Sequence, residues 1–561
     1  MTRARDTSLS AARAVTGDRP CDILLIQPPI RDFYLTVKRT LPYGLLSIAA
    51  VLRQEGFRVA LLDALARGKS RPQPLPAPLN DLSAVYPAGD LSPFALFSGY
   101  HHFGYALDTV ADLAGRSGAF LIGISSLFST YEDMALACAQ AVKKRCPEAF
   151  VVLGGHHPTV FPDRILDHPG IDFVLRGDGE ATLPPLAKAL QRHTGLAEVP
   201  GIAFDDPSGR RHINPPVYAR DLNQFPTPPL DLLNTRYYRR KGGISLAIAA
   251  SRGCPMTCSY CCMGARSKIP YRRRSVAHVL SEIARAAGRH AIGMIDFEDE
   301  NLSMDRDWFA DLLFRITDLF AGYPPELRAM NGLYPPSLDA SLVRRMRRAG
   351  FLQLNLSLAT CNPRQLERFH RKSVNRDVDR VLGWAEQNGM TAVGYLIAGA
   401  PDQDPLASVE DLLFLAPRRV LAGLSIYYPA PDSLDFIRCR VSGLLPASPL
   451  AWRSSALPID HVTHRLHSAT LLRLTRALNF MKQCVDTEGR LPAPASMPDP
   501  PAPLSGNRYA IGRQLLRWFL ADGVLRRVDA MGRVTDCPAD AVLTRAFLHG
   551  IQKTGLRGVR T

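Results

Sequence analysis

The sequence predicts an α/β protein in three parts: an N-terminal doubly wound sheet, a partial barrel of six strand–helix repeats, and a mainly helical C-terminal region. Three observations predict it. Short apolar runs alternate with helical periodicity over residues 21–193, the order that builds a parallel sheet. The same alternation restarts at 242 and continues to about 433. Beyond 434 the strand signals give way to amphipathic helical spacing.

In the first part, Asp22 to Gln27 is an apolar run stopped by Pro28 and Pro29. A helix at 45–55 ends at Gly56, a C-cap residue, and a second strand follows at 58–63. Strands at 120–125, 150–155 and 172–176 alternate with helices at 131–145 and 181–191. Ligands of such sheets lie beyond the strand C-termini. The stretches that meet there are Gln27-Pro28-Pro29, Ser125-Ser126, Gly154-Gly155-His156-His157-Pro158 and Arg176-Gly177-Asp178-Gly179-Glu180. Without a G-x-G-x-x-G, a dinucleotide is a weak reading. Residues 69–102 interrupt the pattern with a proline-rich stretch from Arg71 and an aromatic one from Phe94, as a lid or a surface excursion. Residues 194–241 read as a small hairpin and a proline-punctuated linker.

The barrel begins with an apolar run, 244–250, that delivers Ser251-Arg252-Gly253-Cys254-Pro255-Met256-Thr257-Cys258-Ser259-Tyr260-Cys261-Cys262 onto a loop. Three cysteines spaced C-x3-C-x2-C on a compact loop suit an iron–sulfur cluster, held by thiolates. Three ligands for four irons leave one iron for a non-protein group. Zinc would want a second Cys or His pair, which does not follow. A disulfide knot is not expected without a secretion signal, and three structural thiols would make the regular spacing a coincidence. Cys262 reads as a neighbour of the ligand set.

Helices are expected at 276–287, 308–320, 341–349 and 375–388, and strands at 293–297, 327–331, 352–358, 391–397 and 424–428. Glu298-Asp299-Glu300-Asn301 ends the second strand; acidic groups there hold an ammonium or form an exposed turn. Gly399-Ala400-Pro401-Asp402 ends the fifth, and Tyr427 and Tyr428 end the sixth, packing or facing the barrel mouth. In the C-terminal region, helices are expected at 464–484 and 509–522, closing the barrel or docking a partner.

With these residues in place the chain resembles the radical S-adenosylmethionine (SAM) family with a cobalamin-binding domain, the class B methyltransferase type. The cysteine loop, Pro42-Tyr43-Gly44, Gly154-Gly155-His156-His157-Pro158-Thr159, Arg176-Gly177-Asp178-Gly179-Glu180 and Arg272-Arg273-Arg274-Ser275 carry the resemblance. It implies a Rossmann-like cobalamin domain followed by a TIM-type barrel. It also implies three cofactors: a 4Fe-4S cluster on Cys254, Cys258 and Cys261, SAM, and cobalamin. SAM would take Glu298 and Asp299 at its amino group and Ile397 and Gly399 at its adenine, in an I-x-G-x-x-E stretch with Asp402 for Glu. Cobalamin would take Ser125, Ser126, Gly154, Gly155, His156, Gly177 and Glu180. The D-x-H-x-x-G that supplies a cobalt-ligating His is missing, so cobalamin would bind without it. Where the family often reads Glu-Ser, this chain has Ala359-Thr360, which leaves that position unassigned.

The implied activity is methylation of an unactivated carbon of a small molecule or lipid, through a 5′-deoxyadenosyl radical and methylcobalamin. A non-methylating cyclase or rearrangement enzyme shares the same motifs. A cofactor-binding sensor is the non-enzymatic reading, and a missing second cysteine triad disfavours a methylthiotransferase. An electron donor such as flavodoxin or ferredoxin would be the protein partner, and no catalytic side chain is assigned.

Composition bounds the rest. Hydrophobic content of 46% and charged content of 21% in 561 residues fit a globular multidomain chain. The net charge of +16 is spread, apart from Arg344-Arg345-Met346-Arg347-Arg348 and Arg272-Arg273-Arg274. Solvated faces account for it better than nucleic acid, with membrane-surface contact left open. No run of about 18 apolar residues offers a membrane span. The polar stretch 1–20 is expected to be a disordered lead without a secretory core, and eleven scattered cysteines fit a reducing cytoplasm.

Overall fold

The computed structural model describes residues 20–34, 41–67, 70–87, 89–97, 99–264 and 268–560. Apart from Pro20, the expected lead lies outside these residues. The chain forms two compact units: 1–73, 100–252 and 269–296 in the first, and 74–99, 253–268 and 297–561 in the second.

The first unit is organised by a seven-stranded sheet. Its strands are β1 (Ile23–Gln27), β2 (Val59–Asp63), β3 (Leu121–Ser125), β4 (Phe150–Gly154), β5 (Phe173–Leu175), β6 (Ile202–Asp205) and β7 (Arg211–Ile213). Their spatial order is β7-β6-β5-β4-β3-β1-β2. The first five in sequence are mutually parallel, with Ile26 level with Ile124 and Ser125 level with Gly154. Helices α1 (Tyr43–Gln54) and α2 (Gly179–Arg192) accompany the sheet. Such strands are near-continuous apolar runs because helices cover both faces; β2, Val-Ala-Leu-Leu-Asp, is buried at every position. Leu24, Ile26, Leu62, Ile122, Ile124, Val151, Leu153 and Val174 form one core. The order reverses between β1 and β3, which places the binding crevice at the ends of those strands.

The hairpin expected in the connector is present but extends the sheet. β6 pairs antiparallel with β5, Leu175 opposite Ile202, because its Ile202, Ala203 and Phe204 are as buried as the sheet itself. The same unit holds β8 (Gly243–Ile248), the two-residue strands β9 (Ser251–Arg252) and β10 (Arg272–Arg273), and all but the last residue of β11 (Ile292–Phe297). β9 and β10 pair antiparallel and form the stem from which the cysteine loop departs.

In the second unit, β12 (Gln353–Ala359), β13 (Thr391–Ala398) and β14 (Leu421–Ile426) form a parallel sheet. Helix α3 (Pro405–Leu415) links the last two strands. The sixth strand lies three residues earlier at its start than the expected 424–428. Gly423 and Ser425 interrupt its apolar run and weaken the hydropathy signal. Tyr427 lies just past the strand, its N–H still donating to Ala398 O of β13 at 2.8 Å. The C-terminal helices are α4 (Arg465–Glu488), α5 (Arg508–Asp522) and α6 (Ala541–Thr554); α6 was not anticipated.

Residues 74–97, an insertion by sequence order, pack in the second unit against the C-terminal helices. Phe94 meets Phe480 edge-on at 5.6 Å, and Arg473 and Arg476 donate to Phe94 O and Leu96 O. Arg344, Arg345, Arg347 and Arg348 are all exposed, the solvated face expected of them. Among the described residues no helix is long and apolar enough to cross a membrane.

Candidate functional site

The cysteine loop, in the second unit, is held by its backbone. Cys254 N–H donates to Met263 O at 2.9 Å, and Cys261 N–H to Cys258 O at 3.3 Å. Met263 N–H points at Cys261 Sγ, 3.4 Å away. Gly264 has to be glycine, since a Cβ there would stand 2.6 Å from Met256 O. Ser259 pins the middle of the loop: its N–H donates to Phe369 O at 3.1 Å and its Oγ to Asp435 Oδ2 at 2.7 Å. Tyr260 packs edge-on against Phe369, and its hydroxyl accepts from Arg371 Nη1 at 2.8 Å.

Cys254 and Cys258 are buried, and Cys261 and Cys262 half-buried. Burial raises the Cys254 thiol and pushes Cys261 up to about 11 and Cys262 up to about 12. These thiols are neutral until a cation favours the thiolate. Among the described residues no three His, Cys, Asp or Glu side chains converge as a single ion requires. A four-iron cluster takes its ligands on separate irons and is held by thiolates, which is the ligand type and number this loop carries.

Of the acidic residues after β11, Asp299 is buried, and the backbone carbonyl of Glu298 accepts from Asn331 Nδ2 at 3.0 Å. The charge of Glu300 further raises Cys254 and Cys261, and Asp432 followed by Glu300 does so for Cys262. Sequence reasoning passed over Glu300; its place in a run of three acids gave no reason to prefer it.

Ile397 joins Tyr260, Phe369 and Tyr427 in one apolar cluster, so the structure brings the fifth strand's end to the cysteine loop. Its carbonyl accepts from Gln403 Nε2 at 2.8 Å, and Gln403 Oε1 accepts Ala400 N–H at 3.0 Å. Gly399 has φ +75°, and a Cβ would meet Ser468 Oγ at 3.2 Å. Asp402 Oδ1 lies 3.6 Å from His461 Nδ1. Tyr427 is buried with its hydroxyl 3.8 Å from Cys439 Sγ, a packing role, whereas Tyr428 is 43% exposed.

The second set of residues lies in the first unit, at the C-terminal ends of β3, β4 and β5. Ser126 N–H donates to Gly154 O at 2.8 Å. Gly155, at φ +130°, abuts Ser126, whose O would be 2.5 Å from a Cβ. Ser126 Oγ is buried with no hydrogen-bond partner among the described residues, a cost that a ligand would remove. Beyond it, Leu127 and Phe128 are 53% and 55% exposed. An orphaned hydroxyl, side-chain-free strand ends and two bare apolar residues fit a broad amphipathic ring such as a corrin.

His156 begins the short helix His156–Val160. His157 is fully buried between Ser129 Oγ at 2.8 Å and Glu132 Oε2 at 2.6 Å, so its role is structural. Gly177 is wedged against Val217, whose O would sit 2.1 Å from a Cβ. Both carboxylate oxygens of Glu180 accept from Arg252, at 2.5 and 3.2 Å. Ion pairing and strand contact thus already account for Gly177 and Glu180.

Two domain families match the chain: B12 binding domain over residues 99–187 and Radical SAM superfamily over residues 248–415. The chain is 26% identical to cytidylyl-2-hydroxyethylphosphonate methyltransferase of Streptomyces wedmorensis, over 68% of this chain and 73% of that protein. It is also 26% identical to anaerobic magnesium-protoporphyrin IX monomethyl ester cyclase of Synechocystis sp., over 71% of this chain and 74% of that protein. The solved structure of the cobalamin-dependent S-adenosylmethionine radical enzyme OxsB with aqua-cobalamin bound shares the fold. Its TM-score is 0.61 at 14% identity, covering 90% of this chain and 72% of that one.

Proposed function

A chain that joins a B12-binding domain to a radical SAM domain is a cobalamin-binding radical SAM protein, and from that premise we propose that it methylates an unactivated carbon of a small-molecule or lipid substrate. The pairing of the two domains carries the reading, since neither alone implies methyl transfer. The methyltransferase name of the Streptomyces relative supports it. When bound, the cluster and SAM supply a 5′-deoxyadenosyl radical, and cobalamin supplies a methyl group.

In this reading Cys254, Cys258 and Cys261 ligate iron, and burial around Tyr260, Phe369 and Ile397 keeps water from them. Glu298 and Asp299 take the SAM ammonium, with Glu300 beside the cysteines, and Ile397 and Gly399 border the adenine. Ser125, Ser126, Gly154, Gly155, His156 and Gly177 line the corrin, with Glu180 acting on that side through Arg252. The thiols suit a reducing cytoplasm, where a flavodoxin or ferredoxin would deliver the electron.

A second reading, a non-methylating cyclase or rearrangement enzyme, is supported by the Synechocystis relative. One experiment separates the two. The full chain is purified anaerobically with cobalamin, its cluster is reconstituted, and it is turned over with methyl-deuterated SAM and candidate substrates from neighbouring genes. Deuterated product together with 5′-deoxyadenosine supports methylation. Product carrying no label, with 5′-deoxyadenosine released, supports the second reading. Absence of 5′-deoxyadenosine under strong reduction overturns both.

A further inference from the structure

The feet of the cysteine loop are arginines, and each is anchored on a motif of the N-terminal sheet, all within the first unit. Arg252, on β9, donates from Nη1 to Asp178 Oδ1 at 3.1 Å and from Nη2 to Glu180 Oε1 at 2.5 Å. Arg272, level with it on β10, donates to Asp178 Oδ2 and to Ala219 O. Asp178 Oδ2 also accepts Ala219 N–H at 2.9 Å. Arg274, the next residue but one, meets Glu282 Oε2 at 2.6 Å and donates to the Tyr43 hydroxyl at 3.0 Å.

One carboxylate thus joins both feet. Asp178, Glu180 and Arg272 are 7%, 5% and 7% exposed. Two cations face two anions, and removing either sign would strand a buried charge. The backbone of the same turn, Gly177-Asp178, follows the C-terminal end of β5, with Asp178 N–H donating to Val217 O at 2.7 Å.

From this geometry we infer that Asp178 is a positioning residue that couples corrinoid uptake to cluster assembly, an inference that rests on the cofactor assignments proposed above. Iron ligation at Cys254, Cys258 and Cys261 would tether the loop between the two feet and resist separation of Arg252 from Arg272. Feet held level keep both oxygens of Asp178 engaged and fix the Gly177 turn. A fixed turn no longer has to be ordered when the corrinoid binds, and the effect is reciprocal because coupling between two sites is a shared free energy.

The test is equilibrium binding of hydroxocobalamin to the full chain under anaerobic conditions. The cluster-bearing protein is compared with the cluster-free Cys258→Ala protein, each with and without Asp178→Asn. The cluster is expected to tighten hydroxocobalamin binding about tenfold. Asp178→Asn, which cannot accept at both oxygens, should reduce that ratio to within about twofold while iron per chain stays at the wild-type level. A merely structural role would weaken both affinities and leave the ratio. Arg272→Lys and Glu180→Gln, each removing one contact, serve if Asp178→Asn does not fold, and a lowered ratio in them supports the coupling. An unchanged ratio in the folded variants overturns the inference. Equal affinity with and without the cluster overturns it alone. Failure of wild-type protein to bind hydroxocobalamin overturns it together with the corrinoid assignment.

Discussion

Asn479 completes the hydrogen bonding of Ala422 as a neighbouring strand would: its Oδ1 accepts the Ala422 N–H at 2.9 Å and its Nδ2 donates to Ala422 O at 2.8 Å. Ala422 lies on β14, the edge of the three-stranded sheet, and Asn479 on α4. Farther along the same edge, Ile426 N–H donates to Ser454 Oγ at 3.0 Å. An open edge is a template for unwanted pairing, and covering it is the usual remedy.

Asn479→Leu should therefore destabilise the chain by about 2 kcal/mol, since two buried backbone groups lose their partner. A lower denaturant midpoint at unchanged slope would bear this out, and an unchanged midpoint would show the edge to be satisfied otherwise.

Alanine at Cys254, Cys258 or Cys261 should abolish the brown absorbance of the reconstituted protein and drop iron and sulfide per chain. Cys262→Ala should keep both, because its position next to Cys261 does not match the spacing of the other three. Iron and sulfide assays on the four variants decide between these ligands and any other set.

Lys482 is fully buried, and its Nζ donates to Leu415 O, Ala416 O, Arg418 O and Arg557 O at 2.7 to 3.0 Å. Lys482→Met removes the amine that these four carbonyls share; Leu415 O, Ala416 O and Arg418 O keep a backbone N–H, and the loss should cost about 2 kcal/mol. Burial also lowers the amine to about 7 from 10.5. The folded chain then binds fewer protons than the unfolded chain between these values, so wild-type stability relative to Lys482→Met should rise as pH goes from about 7 to about 10. Urea titrations at pH 7 and 9 check the sign.

Asp411 has the opposite dependence. It accepts from Thr360 Oγ1 at 2.8 Å and Cys361 N–H at 2.6 Å, and burial pushes it up to about 7 from 3.8. Between these values the folded chain holds the proton that the unfolded chain releases. Wild-type stability relative to Asp411→Asn should fall as pH climbs from about 4 to about 7 and then level off. A rise over that range would mean the two donors outweigh burial.

Much of the architecture was readable in the chain because strong local signals coincide with burial. β2 is apolar throughout and lies inside a two-sided sheet, so its hydropathy alone located it. β14, whose apolar run is interrupted by Gly423 and Ser425, lacks that signal, and it starts three residues before the expected position. Helix α6 carries a local signal that the expected elements left unused, an Asp540 cap and buried Leu543, Phe547 and Ile551 at helical spacing, whereas the packing of Phe94 on α4 depends on contacts far apart in sequence, which local periodicity does not register.

The cysteine spacing and the glycine turns, by themselves, determined the kind of chemistry this chain supports, because ligand type and backbone freedom are properties of residues at short range. The three-dimensional arrangement decided what the flanking charges are for. Arg252 and Arg272 stand 20 positions apart, and 74 and 94 from Asp178, yet they share its carboxylate. Such a pairing is set by Coulomb attraction and desolvation in a folded interior, and no local pattern in the sequence carries it.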